Sequence, residues 1–178
     1  MNSSEENYHE FKGYPSKEKI LNQNKQDLST YNDKLNDRKV TLIINFKLDD
    51  KNDAVYRNLE LLITWIYCLC DSYFDILLLE QDKCTKIGNN LSGEYSNVRH
   101  ELLYNPFKFN RGWGFNVAVK HFCQNSDLIV LMDTDILPDS NFIHCINRCL
   151  TDTDVCSPYM NIYYTDEEEL ETIRRKSD

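Results

Sequence analysis

Residues 128–138 read LIVLMDTDILP, five apolar residues without a break and then two aspartates one residue apart. An unbroken apolar run of this length predicts a strand buried on both faces, as in a parallel sheet covered by helices. Asp133 and Asp135 would then lie at the carboxyl end of the strand, where open α/β sheets bind their ligands. On extended backbone the two side chains point the same way, and two carboxylates suit a divalent cation that also holds phosphate oxygens.

The alternative interpretation of this Asp-x-Asp pair is a solvated acidic turn, because the chain contains 29 acidic residues. The position of the pair directly after a fully apolar strand favours a functional site over such a turn.

The same pattern of an apolar strand ending in polar residues occurs twice more in the first half of the chain. Residues 40–46 and 75–82 both predict strands, and Asp53 is a plausible cap for a helix from Ala54 to about Cys70. Strand, helix and strand at this spacing indicate a βαβ unit. Residues 98–104 predict a further short strand.

The second half of the chain predicts helices that alternate with strands. Asn110 can cap a helix that has Arg111 in its first turn, where an arginine beside free backbone N–H groups favours anions. A simple ion pair between Arg111 and a carboxylate is the alternative. Ser140 is the predicted cap of the next helix, whose core positions are Phe142, Ile143, Ile146 and Leu150. Residues 155–164 predict a strand and residues 166–175 a last helix.

The predicted domain organisation is a polar extension, residues 1–38, followed by one α/β domain, residues 39–178. Leucines recur seven apart at positions 21, 28 and 35, with Tyr31 between them. This sequence therefore predicts disorder in the first part of the extension and a loosely held amphipathic helix in the rest of it.

Charge and hydropathy exclude some classes of function. A net charge of −9 argues against nonspecific binding to nucleic acid, which needs a basic surface to displace counterions. No apolar run reaches the length needed to cross a bilayer, about 20 residues. The polar N-terminus has no signal-peptide core, so a cytoplasmic location is expected, with a lost or removed anchor as the alternative.

The seven cysteines include no Cys-x-x-Cys pair, so buried free thiols with no metal or disulfide role are expected. Cys145 and Cys149, with His144 beside them, leave a zinc site as the alternative, although the spacing matches no zinc-finger pattern.

Several stretches taken in order resemble the GT-A glycosyltransferases. The run Phe109-Asn110-Arg111, then an apolar strand and Asp133-Thr134-Asp135, is most similar to the inverting branch that includes β-1,4-galactosyltransferases and chondroitin-synthase-like enzymes, and to the family-two glycosyltransferases. The likeness spans about residues 40–164. It also includes Arg57-Asn58-Leu59, Trp65-Ile66-Tyr67 and Glu80-Gln81.

This resemblance implies a Rossmann-like GT-A sandwich, with a mostly parallel sheet, helices on both faces and a short C-terminal part. It implies transfer from a nucleotide sugar, most often a UDP-sugar, that is bound through Mn²⁺ or Mg²⁺, with inversion at the anomeric carbon. The acceptor would be an unidentified glycan, protein or lipid. Carried over by position, Asp133 and Asp135 would bind the metal, and the donor would contact Asn45, Phe46, Lys47, Glu80, Phe109, Arg111 and Asp133.

The resemblance assigns no general base. The family continues into an acceptor-binding half, whereas this sequence ends after one more predicted helix, where Glu167, Glu168 and Glu169 are supported as a base by composition alone. We therefore expect the nucleotide-sugar half of a transferase. The pattern leaves open whether a second copy, in a homo-oligomer, or a partner subunit covers the sheet edge.

Two other functions fit the same residues. One is a non-catalytic nucleotide-sugar-binding or scaffold module. The other is a nucleotidyltransferase, which is disfavoured because residues 40–53 contain no glycine for a phosphate-binding loop.

Overall fold

The structure is a computed structural model of the chain, and it describes residues 17–35, 37–48, 54–70, 73–87, 95–152 and 154–157. Helices and strands alternate along most of this length. In chain order they are α1 (Lys17–Leu35), β1 (Val40–Phe46), α2 (Ala54–Cys70), β2 (Asp75–Asp82), β3 (Val98–Tyr104), α3 (Arg111–Phe122), β4 (Leu128–Met132) and α4 (Phe142–Thr151).

These elements build an α/β sandwich around a parallel sheet of order β3-β2-β1-β4, which confirms the predicted Rossmann-like fold class. Alternate residues of β1 enter two separate cores. Leu42, Ile44 and Phe46 pack in the larger core with α1, α2 and α4, whereas Ile43 packs in a smaller core with residues of α3. The mostly apolar sequence of β1 is therefore explained by burial on both faces.

Strand β4 differs from its prediction. Within the described residues it pairs with β1 alone and forms an edge of the sheet, and Leu131 is 48% exposed. The expectation of a strand buried on both faces was wrong because α3 packs over β1 and β2, one and two strands inward from β4.

Helix α1 is held more closely than its polar sequence suggests. Ile20 and Asn24 are fully buried, and Leu28 and Leu35 enter the larger core. The side chain of Asn24 donates to the carbonyl of Asp139 at 3.0 Å and accepts from the backbone N–H of Ile143 at 3.2 Å. Because a buried amide must be hydrogen-bonded, these contacts fix where α1 lies against the start of α4.

Ser140 is not the cap of α4. Asn141 occupies the N-cap position without a side-chain hydrogen bond, and the carboxylate of Asp139 instead accepts from the Asn141 backbone N–H at 2.8 Å. The predicted core positions are correct: Phe142, Ile143 and Ile146 are buried and Leu150 packs against them.

Residues 1–16 and most of the predicted strand 155–164 lie outside the described residues, as does the predicted helix 166–175. The described part of that strand, residues 155–157, has no regular structure. No helix among the described residues has the length and apolar character needed to span a membrane.

Trp65 connects α2 to the segment that follows the two aspartates. Its indole is 1% exposed and donates to the carbonyl of Pro138 at 2.8 Å. We expect Trp65→Phe to lower the free energy of unfolding by about 2–4 kcal/mol, because a buried carbonyl loses its donor and a cavity forms.

The control for this substitution is Trp113→Phe, since Trp113 is 39% exposed and the change there should cost less than about 1 kcal/mol. Urea denaturation followed by far-UV circular dichroism measures both variants. Equal losses of stability would contradict the role given to Trp65.

Candidate functional site

The order of the strands places a switch point between β1 and β4. From β1 the chain continues to β2 and β3 on one side, whereas β4 lies on the other side. In open parallel sheets the crevice outside the carboxyl ends of two such strands is the usual ligand site. Ile44 and Met132 are the last residues that pair between β1 and β4, so Asn45 to Lys47 and Asp133 to Asp135 lie beyond this pair, at the carboxyl ends of the two strands.

Arg111 and Asp133, predicted separately to hold the donor, are brought into direct contact at the carboxyl ends of the strands. The ion pair with a carboxylate, which was the alternative interpretation of Arg111, is therefore present in the structure. The Arg111 Nε and Nη2 atoms donate to the two carboxylate oxygens of Asp133 at 2.7 Å and 2.9 Å. The guanidinium also lies over the ring of Phe115, 5.2 Å from its centroid. A two-point contact of this kind fixes the orientation of both groups.

Asp135 lies two residues beyond Asp133 and is exposed. Its carboxylate makes no hydrogen bond or ion pair with the residues that the structure describes. The two aspartates therefore differ: Asp133 is engaged by the protein, and Asp135 is available to a ligand.

The start of α3 is locally well formed. The Asn110 side chain accepts a hydrogen bond from the backbone N–H of Trp113 at 3.0 Å, so the predicted cap is confirmed. Phe109 is 42% exposed just before this cap. Phe109 and Arg111 thus flank the beginning of the helix on the accessible surface.

Beneath the start of α3 lies a cluster of buried amides that sequence reasoning missed. Gln81 Nε2 donates to Asn45 Oδ1 at 2.8 Å and to the carbonyl of Asn110 at 2.9 Å, while Gln81 Oε1 accepts from Asn105 Nδ2 at 2.9 Å. Asn45 Nδ2 in turn donates to the carbonyl of Arg111 at 3.0 Å. Asn45 therefore positions the helix that carries Arg111, and the only signal in the sequence was a polar residue at the end of each apolar strand.

The side chains of Phe46 and Lys47 both make contacts within the protein. Phe46 is 2% exposed within the larger core. Lys47 Nζ donates to the carbonyls of Asn105 and Phe107 at 3.1 Å and 2.6 Å, which ties β1 to the loop before α3. Direct contact between these two side chains and a nucleotide stays a prediction.

Glu80 is fully buried on the face of β2 opposite Gln81. Its carboxylate accepts from Thr85 Oγ1 at 3.0 Å and from the backbone N–H of Lys86 at 2.8 Å, and it pairs with His100 Nε2 at 3.0 Å. The structure therefore places Glu80 in an internal hydrogen-bonded group, apart from Arg111 and Asp133, and its contact with a base stays a prediction.

A second acid at the end of β2, Asp82, is neutralised by lysines. Burial alone would raise the pKa of its carboxyl, but hydrogen bonds from Lys86 and from the backbone of Lys83, with the charges of Lys86 and Lys47, hold this pKa below its ordinary value. Lys86 Nζ lies 2.9 Å from Asp82 and also donates to the carbonyl of Leu48 at 3.0 Å. These contacts engage Lys86 and leave Asp82 ionised at neutral pH.

The donor set fits a cation that arrives with phosphate oxygens. Among the described residues no group of three or more His, Cys, Asp or Glu side chains is arranged to hold a metal. Mg²⁺ bound with substrate phosphates commonly uses only one or two carboxylates, and waters complete its shell. Asp133 and Asp135 supply that number of carboxylates. Thr134 and Asp135 form a turn, however, so the expectation that extended backbone directs both side chains the same way was wrong.

A polar cavity of about 350 Å³ lies at the opposite end of the strands, before β1. Arg38 pairs with Asp127 and Lys39 with Asp75, each at 3.4 Å, and Asp37 also lines the cavity. Three acids against two bases do not favour a ligand that carries phosphate, so we place the candidate site at the carboxyl ends of the strands.

Comparison with protein-family models, with curated proteins and with solved structures finds no match to this chain. The fold and the geometry at the switch point are therefore the basis on which function is assigned.

Gly114, in the first turns of α3, lies directly against the buried amides. A Cβ atom at this position would overlap the side chains of Gln81 and Asn45, whereas a Cβ at Gly112 would have Asn110 Oδ1 as its nearest neighbour, at 4.0 Å. We expect Gly114→Ala to lower the free energy of unfolding by about 1–3 kcal/mol, because overpacking breaks the amide hydrogen bonds.

Gly112→Ala is the matched control, and helix propensity predicts that it is neutral or stabilising by up to about 1 kcal/mol. Chemical denaturation of both variants provides the comparison. A Gly114→Ala variant as stable as Gly112→Ala would show that the amides do not constrain the start of α3.

The cysteines are free thiols, but the expectation that they are buried was wrong for most of them: Cys70 and Cys123 are buried, Cys84 is exposed, and the other four are partly buried. Cys156 lies against α4, where its thiol donates to the carbonyl of Cys145 at 3.5 Å. Burial, followed by a hydrogen bond with Cys149, raises the pKa of Cys156 to about 12. The described residues do not assemble these thiols into a metal site.

Alkylation should therefore differ between the thiols. At pH 8 Cys84 should react with iodoacetamide first, whereas Cys156 should react slowly because its raised pKa leaves much less thiolate than an ordinary cysteine has. Peptide mass spectrometry over a time course measures the order, and urea-unfolded protein, in which every thiol should react, is the control. Cys156 labelled as fast as Cys84 would contradict this arrangement.

Proposed function

We propose that this chain is the donor-binding domain of a metal-dependent glycosyltransferase, which transfers a sugar from a nucleotide sugar, most simply a UDP-sugar. The observation that carries the proposal is the meeting of Arg111 and Asp133, 22 residues apart, beside the exposed Asp135 at the switch point of the sheet. A guanidinium next to two carboxylates provides groups for a diphosphate and for its counter-cation.

The residues suit departure of a nucleoside diphosphate. Negative charge increases on the diphosphate as the bond to the sugar breaks, and a fixed guanidinium aimed at that charge lowers the barrier. When bound, Mn²⁺ or Mg²⁺ would add Lewis-acid stabilisation of the same charge, with Asp133 and Asp135 as its protein ligands. Phe109, 42% exposed beside Arg111, offers an aromatic face to a base or a sugar.

Transfer with inversion, and an acceptor that is a glycan, a protein or a lipid, are parts of the proposal that rest on the resemblance alone. The candidate bases Glu167, Glu168 and Glu169 lie outside the described residues.

The second candidate function is binding of the nucleotide sugar without transfer of the sugar. It is favoured by the absence, in the part of the chain that the structure describes, of a further metal-ligating group around Asp133 and Asp135. Such a module would bind a nucleotide diphosphate with a metal and would neither hydrolyse nor transfer the sugar.

Isothermal titration with UDP, GDP and ADP, with and without Mn²⁺, tests the proposal. We expect UDP to bind more tightly with Mn²⁺ than without it, and Asp135→Asn to weaken this binding by at least about 10- to 100-fold, because an exposed carboxylate ligand is lost.

Asp152→Asn, the same change of charge on an exposed residue at the far end of α4, is the control and should bind as the wild type does. No binding of any nucleotide, or an Asp135→Asn variant that binds like the control, would contradict the proposed site. Release of free sugar or its transfer to an added acceptor separates the two candidate functions.

A further inference from the structure

The Arg111–Asp133 contact occupies groups that the proposed ligand also needs. Both carboxylate oxygens of Asp133 accept hydrogen bonds from Arg111, at 2.7 Å and 2.9 Å. In the proposed function, on which this inference rests, Arg111 binds the diphosphate and Asp133 binds the cation. The two hydrogen bonds use two of the five N–H donors of the guanidinium and one lone pair on each carboxylate oxygen, and the two charges offset each other. Each residue therefore competes with the part of the ligand that the other would bind.

We propose that Asp133 acts as a metal-released gate on Arg111. Without a divalent cation the carboxylate holds the guanidinium and opposes the binding of a free phosphate or diphosphate. A cation on Asp133 weakens that contact, so that more of the hydrogen-bonding capacity of the Arg111 guanidinium is available to the anion. By linkage, anion binding on Arg111 favours the cation by the same factor.

The surroundings allow this exchange without a large movement. The guanidinium lies over Phe115, which is 7% exposed and anchored in the smaller core. The amide cluster below holds the backbone at Asn110 and Arg111. Arg111 can thus exchange hydrogen-bond acceptors while its stem stays in place.

The exposure of the Arg111–Asp133 ion pair determines how strongly the gate can change the affinity for a ligand. The side chains of Arg111 and Asp133 are 56% and 32% exposed, so solvent weakens their attraction. Exposed ion pairs of good geometry change an equilibrium by up to about fivefold. We expect the gate to change the affinity for each ligand by about two- to fivefold.

Metal-free binding of inorganic pyrophosphate in the presence of a chelator tests the gate from the anion side. Asp133→Asn should bind pyrophosphate about two- to fivefold more tightly than Asp135→Asn. Both substitutions remove one negative charge near the site, so Asp135→Asn measures the through-space effect that the two share. Of these two aspartates, Asp133 is the one that pairs with Arg111.

Binding of Mn²⁺ alone tests the gate from the cation side. Arg111→Met should bind Mn²⁺ about two- to fivefold more tightly than Lys108→Met. Lys108 is exposed three residues before Arg111, so its removal changes the charge of the same segment without releasing Asp133. Circular dichroism spectra that match the wild type establish that each variant is folded.

Two results would overturn the gate and leave the proposed function standing. Both apply when the wild-type chain binds UDP with Mn²⁺. The first result is equal binding within each pair of variants. The second is that Asp133→Asn shows no detectable binding of pyrophosphate. A wild type that binds no UDP with Mn²⁺ would overturn the proposed function itself, and the gate with it.

Discussion

The side-chain amide of Gln81 holds together segments that strand pairing alone would leave independent. It is fully buried, and its two donors and two acceptor positions bond to Asn45, to Asn105 and to both backbone groups of Asn110. Each of these bonds matters because a buried polar group without a partner costs about 1–3 kcal/mol. The amide therefore fixes the loop after β3 and the first turn of α3 against the ends of β1 and β2.

The candidate site depends on that arrangement. Arg111 follows Asn110 directly, so the network that positions the cap also positions the guanidinium that meets Asp133. Sites supported by packed elements hold their geometry better than sites on loops alone. Gly114 belongs to the same arrangement, because only a residue without a side chain lets the helix approach the amides so closely.

The exposed position of β4 shapes the other half of the site. In the described sheet β4 is an edge strand, and the turn after it leaves Asp135 exposed while Trp65 and Asn24 bind the carbonyls of Pro138 and Asp139 farther along. A well-anchored segment thus carries an accessible carboxylate. The apolar sequence of β4 predicted deeper burial because composition reports what a strand can bury and does not report how many neighbours cover it.

Local patterns were sufficient for most of the elements. The strands 40–46, 75–82 and 98–104, the helix 54–70 and the cap at Asn110 could be predicted because apolar periodicity and capping act within a few residues. The cap at Ser140 was wrong because Asp139, one residue earlier, accepts the hydrogen bond from Asn141. The tight packing of α1 was missed because it depends on Asn24 and on residues more than 100 positions away.

By itself the sequence determined an α/β fold, the positions of its strands and the residues worth testing as a site, since each of these follows from local chemistry. The tertiary structure alone decided which of those residues meet. It paired Arg111 with Asp133, separated Glu80 from them by directing it into a group with His100, and turned Asn45 toward the backbone of α3. The physical reason is that contacts between distant segments depend on strand order and on the pairing of buried polar groups, which no short stretch of the chain contains.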